Sequence, residues 1–225
     1  MPEHFILWRP RDIVSGDFYW MTSRGDETVV LAADCTGHGV PGAFMSMLGV
    51  AFLNEIINRN NVLKANEILD QMREYVIKSL HQTGKEGESK DGMDMALCII
   101  NHTSNKLQFA GAYNSAYLIR NKELTEIKAD RMPIGYSLKN DQPFTLNNID
   151  LQQGDQFYIY SDGFSDQFGG DDARKFMSKK FKELLLQSCH LPMEEQKQNL
   201  LKAHLQWRGT KYEQIDDILV IGIKI

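Results

Sequence analysis

Residues 29–43 read Val-Val-Leu-Ala-Ala-Asp-Cys-Thr-Gly-His-Gly-Val-Pro-Gly-Ala. The apolar, β-prone run before Asp34 predicts a buried strand that stops at this aspartate. The glycines that follow supply a flexible turn, and Pro41 suits the first position of a helix. This stretch therefore predicts a strand that delivers a carboxylate to the end of a sheet, directly before a helix.

Two helices are predicted after this strand. The first, about residues 41–57, is apolar on nearly every side, so we expect it to be covered on more than one face. The second, about residues 62–80, carries a single apolar stripe opposite charged residues, and a mobile polar loop is expected at 81–90.

The rest of the chain alternates hairpins with a second block of helices. Strands are predicted at 95–100, 107–111, 117–120, 124–127, 156–160 and 218–225. Helices are predicted at 172–187 and 193–207. Hairpins between two groups of helices predict an α+β fold, with mainly antiparallel sheet and segregated helices. Because no repeat or linker is visible, we expect one domain over residues 1–225.

The composition limits the classes of protein to which this chain can belong. The 225 residues are 42% hydrophobic and 24% charged, which is typical of one soluble globular domain. The net charge of −5 argues against binding to a nucleic-acid backbone. The most apolar stretch, 43–53, is shorter than the about 20 residues of a membrane span, so no membrane insertion is expected of this segment. Three separated cysteines without a C-x-x-C motif predict reduced thiols and a cytoplasmic location.

Aspartates stand beside glycine or at strand boundaries in four places: Asp17, Asp34, Asp162 and the pair Asp216-Asp217. Aspartate is unfavourable within strands and when buried without a partner. Carboxylates that converge repel one another unless a cation neutralises them, and hard divalent ions prefer such oxygen ligands. Singly, each aspartate fits a turn or a helix cap; together they indicate a shared metal site, and the pattern alone leaves both interpretations open.

Four motifs carry a family resemblance. Residues 9–20 (Arg-Pro-Arg-Asp-Ile-Val-Ser-Gly-Asp-Phe-Tyr-Trp), residues 33–43, Ser-Asp-Gly at 161–163 and Asp-Asp-Ile at 216–218 occur in this order. Together they resemble the metal-dependent serine/threonine phosphatases of type 2C, in the bacterial SpoIIE-like branch of sporulation and stress-response regulators. The resemblance implies a four-layer α-β-β-α sandwich, with two central, mainly antiparallel sheets flanked by helices and a two-metal site at one end.

The resemblance also implies roles for residues. The expected ligands of two Mn²⁺ or Mg²⁺ ions are the carboxylates of Asp17, Asp34, Asp162 and Asp216 and the backbone carbonyl of Cys35. Asp34 is expected to bridge the ions and to activate the bridging water. Asp217 is placed in the second shell, or exchanges roles with its neighbour.

Four further residues have two interpretations each. His38 is either a general acid for the leaving oxygen or a residue that orders its loop. Arg11 either binds the substrate phosphate or is simply exposed. Asp91 and Asp94 either hold a third metal ion or cap the entry to a strand.

The activity that the resemblance implies is hydrolysis of phosphoserine or phosphothreonine by a metal-bridging hydroxide. The implied substrate is a phosphorylated regulatory protein, such as an anti-sigma-factor antagonist. We expect the chain to be the output domain of a longer sensor protein, membrane-tethered through other regions, with a homodimer contact through the helix at 41–57. The alternatives are a degenerate phosphatase-fold module that only binds regulatory partners, and an enzyme for small-molecule phosphates.

Overall fold

The structure is a computed structural model that describes residues 2–59 and 64–225. Within these ranges the chain forms two five-stranded antiparallel sheets. In spatial order, the first sheet contains β1 (Glu3–Arg9), β12 (Ile218–Lys224), β9 (Gln156–Tyr160), β6 (Ala116–Arg120) and β7 (Glu123–Ile127). The second sheet contains β2 (Phe18–Arg24), β3 (Glu27–Cys35), β4 (Met93–Asn101), β5 (Lys106–Ala112) and β8 (Asn147–Asp150).

Helices cover the outer face of each sheet. The second sheet is covered by α1 (Gly39–Arg59) and α2 (Ala65–Ser79). The first sheet is covered by α4 (Ser178–Ser188) and α5 (Met193–Arg208). A short helix α3 (Gly163–Asp166) and the two-residue strands β10 (Phe168–Gly169) and β11 (Arg174–Lys175) connect β9 to α4.

Three apolar cores hold these four layers together. In β3, Leu31 and Ala33 face α1 and α2, whereas Val30 and Ala32 face the first sheet. Both faces of β3 are therefore buried, which is why its sequence is continuously apolar rather than alternating. A third core lies between the first sheet and α4 and α5. The predicted α+β fold with a four-layer α-β-β-α arrangement is confirmed.

The first helix departs from the prediction. It runs from Gly39 to Arg59, and Val40, Phe44 and Met47 are 61%, 64% and 69% exposed. One side of α1 packs against the second sheet and Phe52 packs against Tyr75 of α2, whereas the side that carries the three exposed residues is uncovered, so the helix is covered only in part. By length and composition α1 is also the one helix in the described ranges that could cross a membrane, which is weak evidence because one of its faces packs in the core.

Other segments also differ from the sequence predictions. The helix predicted at 172–187 begins only at Ser178, because the preceding residues pair as β10 and β11 and Met177 has a φ of +74°. The loop at 81–90, expected to be mobile, has a defined turn in which the Glu88 carboxylate accepts backbone N–H groups of three residues. The second helix runs over Ala65–Ser79, and residues 62–63 of its predicted range lie outside the described residues.

Candidate functional site

A cavity of about 220 Å³ opens where strands of both sheets end. It is lined by Asp34, Cys35, Thr36, Gly37, His38, Gly92, Asp94, Asp162 and Asp216. Four of these residues are aspartates, and they come from the end of β3, the start of β4, the end of β9 and the approach to β12. The sheets thus bring together carboxyl groups that are far apart in the sequence.

These carboxyl groups belong to strand ends of both sheets. Asp34 and Asp94 are paired directly across β3 and β4, an arrangement that is destabilising for two like charges. Asp162, at the end of β9 in the other sheet, lines the same cavity, and its charge raises the pKa of Asp34. Asp34 is therefore the group at which both sheets meet.

Burial raises the pKa of every one of these carboxyl groups, and their neighbours raise it further. The pKa of Asp34 rises to about 10, mainly through burial and then through the charges of Asp17 and Asp162. Burial likewise raises the pKa of Asp94 to about 7 and that of Asp162 to about 6. The pKa of Asp216 is also raised by burial, against a lowering by His38 and Arg11.

The chemistry of this donor set fits hard divalent cations. The cavity gathers carboxyl oxygens, and its described lining contains no lysine or arginine that would neutralise them. As arranged in the structure, no three His, Cys, Asp or Glu side chains of residues 2–59 and 64–225 are close enough together to hold an ion. Binding would therefore need the carboxylates to turn inward.

Asp17 lies near the carboxyl groups of Asp162 and Asp216 but does not line the cavity. It is 2% exposed, and the Ser161 hydroxyl donates a hydrogen bond of 2.5 Å to its Oδ2. The same Ser161 oxygen accepts the backbone N–H of Leu219 at 3.0 Å, so β12 fixes its position. Burial, followed by the charges of Asp217, Asp216 and Asp162, raises the pKa of Asp17 to about 8.

Asp217 anchors the segment that carries Asp17. Its Oδ1 accepts the backbone N–H of Arg11 at 2.7 Å, and its Oδ2 accepts those of Gly16 at 2.7 Å and Asp17 at 3.3 Å. Both oxygens of Asp217 thus accept hydrogen bonds from the backbone, and Asp217 does not line the cavity.

Glycines allow the backbones around the site to touch. A side chain on Gly42 would collide with the carbonyl of Gly37 and with Gly16, so the motif segments 9–20 and 33–43 meet there only because Gly16 and Gly42 lack Cβ atoms. A side chain on Gly163 would collide with the carbonyl of Asp217. The glycines of the sequence motifs therefore set the distances between the acidic residues.

The remaining candidates lie at the rim. The Nδ1 of His38 is 2.8 Å from Oδ2 of Asp12, a partner that no sequence pattern identified. Arg11 is exposed and its guanidinium donates to the carbonyl of Ile215 at 2.9 Å. Asp91 accepts a hydrogen bond from Ser89 and does not line the cavity, whereas Asp94 lies within β4 and does.

Comparison with known proteins agrees with this architecture. In solved structures, the SiaA-PP2C domain of Pseudomonas aeruginosa has a TM-score of 0.88 at 32% identity, covering 99% of this chain and 85% of that one. The PP2C phosphatase domain of SpoIIE from Bacillus subtilis, solved with a fragment of its regulatory domain, has a TM-score of 0.79 at 18% identity, covering 100% of this chain and 63% of that one. The structure of the RsbU and RsbW domains of a Mycobacterium tuberculosis protein has a TM-score of 0.77 at 20% identity, covering 99% of this chain and 60% of that one.

The fold is thus that of the type 2C phosphatases. The family model described as stage II sporulation protein E (SpoIIE) matches residues 24–225, and the chain belongs to this family. A comparison with curated protein sequences found no significant match.

The role of Asp217 as an anchor gives a stability prediction. Asp217→Ala leaves three backbone N–H groups without their acceptor, two of them buried, so we expect a loss of about 3 kcal/mol in the free energy of unfolding. Asp150→Ala, at a side chain that is 88% exposed, should change it by less than about 0.5 kcal/mol. Urea unfolding of both variants without divalent metal measures this, and equal values would contradict the anchoring role.

The raised pKa values predict how stability depends on pH. The folded, metal-free chain holds protons on Asp34 (pKa about 10) and Asp17 (pKa about 8) that the unfolded chain loses near pH 4. The stability that these two protonated carboxyl groups contribute is complete below about pH 4. It is lost as the pH rises through their pKa values in the folded chain. We expect the melting temperature to fall by several degrees between pH 6 and 9, and less in Asp34→Asn, which cannot ionise. Thermal unfolding after chelation tests this, and parallel curves for the two proteins would refute it.

Proposed function

We propose that this chain is a metal-dependent phosphoprotein phosphatase that hydrolyses phosphoserine or phosphothreonine. The observation that carries the proposal is the convergence of Asp34, Asp94, Asp162 and Asp216 on one cavity, with Asp17 directly behind it. Membership of the SpoIIE family and the 32% identity to the SiaA phosphatase domain support it.

The proposed cofactor is a pair of Mn²⁺ or Mg²⁺ ions. Two structures of similar fold, at 14% and 18% identity, are described as complexes with magnesium and with two manganese ions. In this chain Asp34, Asp162, Asp216, Asp17 and the carbonyl of Cys35 would hold the ions, with Asp94 available for a third. When bound, the ions would supply a water activated at neutral pH and positive charge against the phosphoryl oxygens.

The chain's own residues have distinct tasks in this proposal. Ser161 orients the Asp17 carboxylate, and Asp217 fixes the loop from which it projects. Arg11 is near enough to Asp216 to lower the pKa of that carboxyl group. The exposed guanidinium of Arg11 would bind the phosphate group of the substrate. The Nδ1 of His38 is held by Asp12. Its other ring nitrogen would either donate a proton to the leaving oxygen, or the histidine would serve only to order its loop.

A catalytically degenerate module that only binds partners is the second candidate. It is favoured by the separation of the carboxylates, since no three acidic side chains within the described part of the chain are close enough to hold an ion. Hydrolysis of small-molecule phosphates is a third candidate, and rates on phosphopeptides against sugar phosphates would separate it from the first.

One pair of variants tests the activity. With Mn²⁺ and an aryl phosphate, we expect Asp34→Asn to lower kcat/KM by more than about 100-fold, because the central carboxylate is lost. Cys35→Ala should stay within about threefold of the wild type, since burial raises the pKa of the thiol and only its backbone carbonyl is used.

Chelator and excess Mn²⁺ provide the controls for this assay. If the folded wild type stays inactive with excess metal and Asp34→Asn changes nothing, the enzymatic proposal is lost and the binding module remains. A large loss in Cys35→Ala would instead point to thiol chemistry.

The proposed biological setting is a signalling pathway. The substrate would be a phosphorylated regulatory protein such as an anti-sigma-factor antagonist, and similar structures that combine RsbU with RsbW domains or describe a stressosome support regulatory partners. We propose that the chain is the output domain of a longer sensor protein and that it acts in the cytoplasm. The chain spans 63% and 60% of the length of two of its structural relatives, which carry further regions.

The apolar side of α1 is the proposed dimer contact. Val40, Phe44 and Met47 lie at the i, i+4 and i+7 positions of one helical face and are all exposed. We expect Phe44→Glu to convert a dimer to a monomer in light scattering, because a charge would be buried in the contact. Leu138→Glu, at a residue that is 98% exposed elsewhere, should leave the mass unchanged. A monomeric wild type, or a dimer unaffected by Phe44→Glu, would rule this contact out.

A further inference from the structure

A buried histidine lies outside the acidic cavity. His204, on α5, is 1% exposed, and its ring packs against Phe164 with 5.5 Å between centroids. Neither of its ring nitrogens has a hydrogen-bond partner among the described residues. Because a neutral imidazole always presents one N–H donor, an apolar environment alone does not satisfy it.

Two arginines close to His204 are unpartnered in the same way. Arg9 follows Phe5 and Leu7 on the side of β1 that packs against α5, and Arg208 ends that helix. The Nε atoms of both are buried and make no hydrogen bond. Within residues 2–59 and 64–225, neither guanidinium is paired with a carboxylate.

The charge around His204 is positive. Burial, followed by the charges of Arg9 and Arg208, lowers its pKa to about 4, and no described carboxylate acts in the opposite direction. A further cation lies beside this helix: the ammonium group of Lys180, on α4, is 3.5 Å from the centre of the Trp207 ring, on α5. The Nε–H groups of the two half-buried arginines and one imidazole N–H are therefore donors without an acceptor, and both arginine charges act on the imidazole.

We propose that Arg9, His204 and Arg208 form a binding site for a small oxyanion, a phosphate or carboxylate group, between the end of β1 and the C-terminal end of α5. An oxyanion accepts hydrogen bonds from both guanidinium Nε–H groups and from the imidazole N–H. A water molecule could accept from two of these donors, but it would not neutralise the two arginine charges. The chemistry of the three side chains therefore selects an anion.

This site is distinct from the acidic cavity, because none of its three residues lines that cavity. The two are nevertheless linked by Gln214, whose side-chain amide donates to the carbonyls of Arg9 and of Asp216, each at 2.8 Å. An anion that fixes Arg9 would therefore also restrain the backbone at Asp216. The proposal does not depend on the chain being a phosphatase.

The experiment is an NMR titration of the metal-free chain, stripped on a chelating resin. Sodium phosphate and sodium acetate are each added against sodium chloride at equal ionic strength, and the imidazole resonances of His204 are assigned by their loss in His204→Gln. We expect a saturable shift with phosphate or acetate and none with chloride. Saturation by phosphate assigns a phosphate group as the ligand, and saturation by acetate alone assigns a carboxylate.

Matched variants make the test specific. Arg9→Gln and Arg208→Gln should each weaken the apparent affinity by at least about tenfold, since each removes a charged donor. Arg174→Gln, whose side chain is 78% exposed beside Asp172, should leave it unchanged. A shift as large with chloride, or affinities unchanged in folded Arg9→Gln and Arg208→Gln, would overturn the proposal. If these variants do not fold, the comparison of oxyanions with chloride in the wild type decides. Because no metal or turnover is involved, failure here leaves the phosphatase proposal intact.

Discussion

Repulsion between carboxyl groups is the constraint on which the site depends. Asp34 is paired with Asp94 across a β-ladder and lines the same cavity as Asp162 from the other sheet, whose charge raises its pKa. Such an arrangement is unfavourable unless protons or cations compensate for the charge. The three apolar cores supply the stability that lets the ends of the two sheets keep these groups together. Function, in this view, is concentrated where the fold is electrostatically least favourable.

The geometry of the site is maintained by backbone contacts more than by the acidic side chains themselves. Asp217 accepts three backbone N–H groups of the segment at 11–17, and Gly42 and Gly163 permit chain approaches that any side chain would block. Ser161 joins Asp17 to β12 through one hydroxyl group. These contacts explain why the sequence motifs mix glycine and serine with aspartate: the acidic residues provide the chemistry and the small ones set its distances.

The sequence predicted the fold well and the site in part. The apolar run before Asp34 and the hairpins indicated sheets covered by helices, and Asp34, Asp162 and Asp216 do line one cavity. Sequence did not decide between a cap and a site residue for Asp94, because strand register, which places it opposite Asp34, is a tertiary property. The Asp12 contact with His38 was not foreseen for the same reason. The missed strands β1, β2 and β8 also depend on pairing with distant partners rather than on a local pattern.

The pairing of β1 with β12 has a kinetic consequence. Phe5 lies opposite Gly222, so this ladder joins segments separated by almost the whole chain, and β12 lies between β1 and β9 within the sheet. Contacts so distant in sequence carry a large loop-closure cost before they become favourable, and folds rich in them form slowly. Asp17 and Asp217, brought together by the same ladder, would meet only late in that process. The nascent protein would thus assemble its most highly charged corner only when this ladder completes the first sheet.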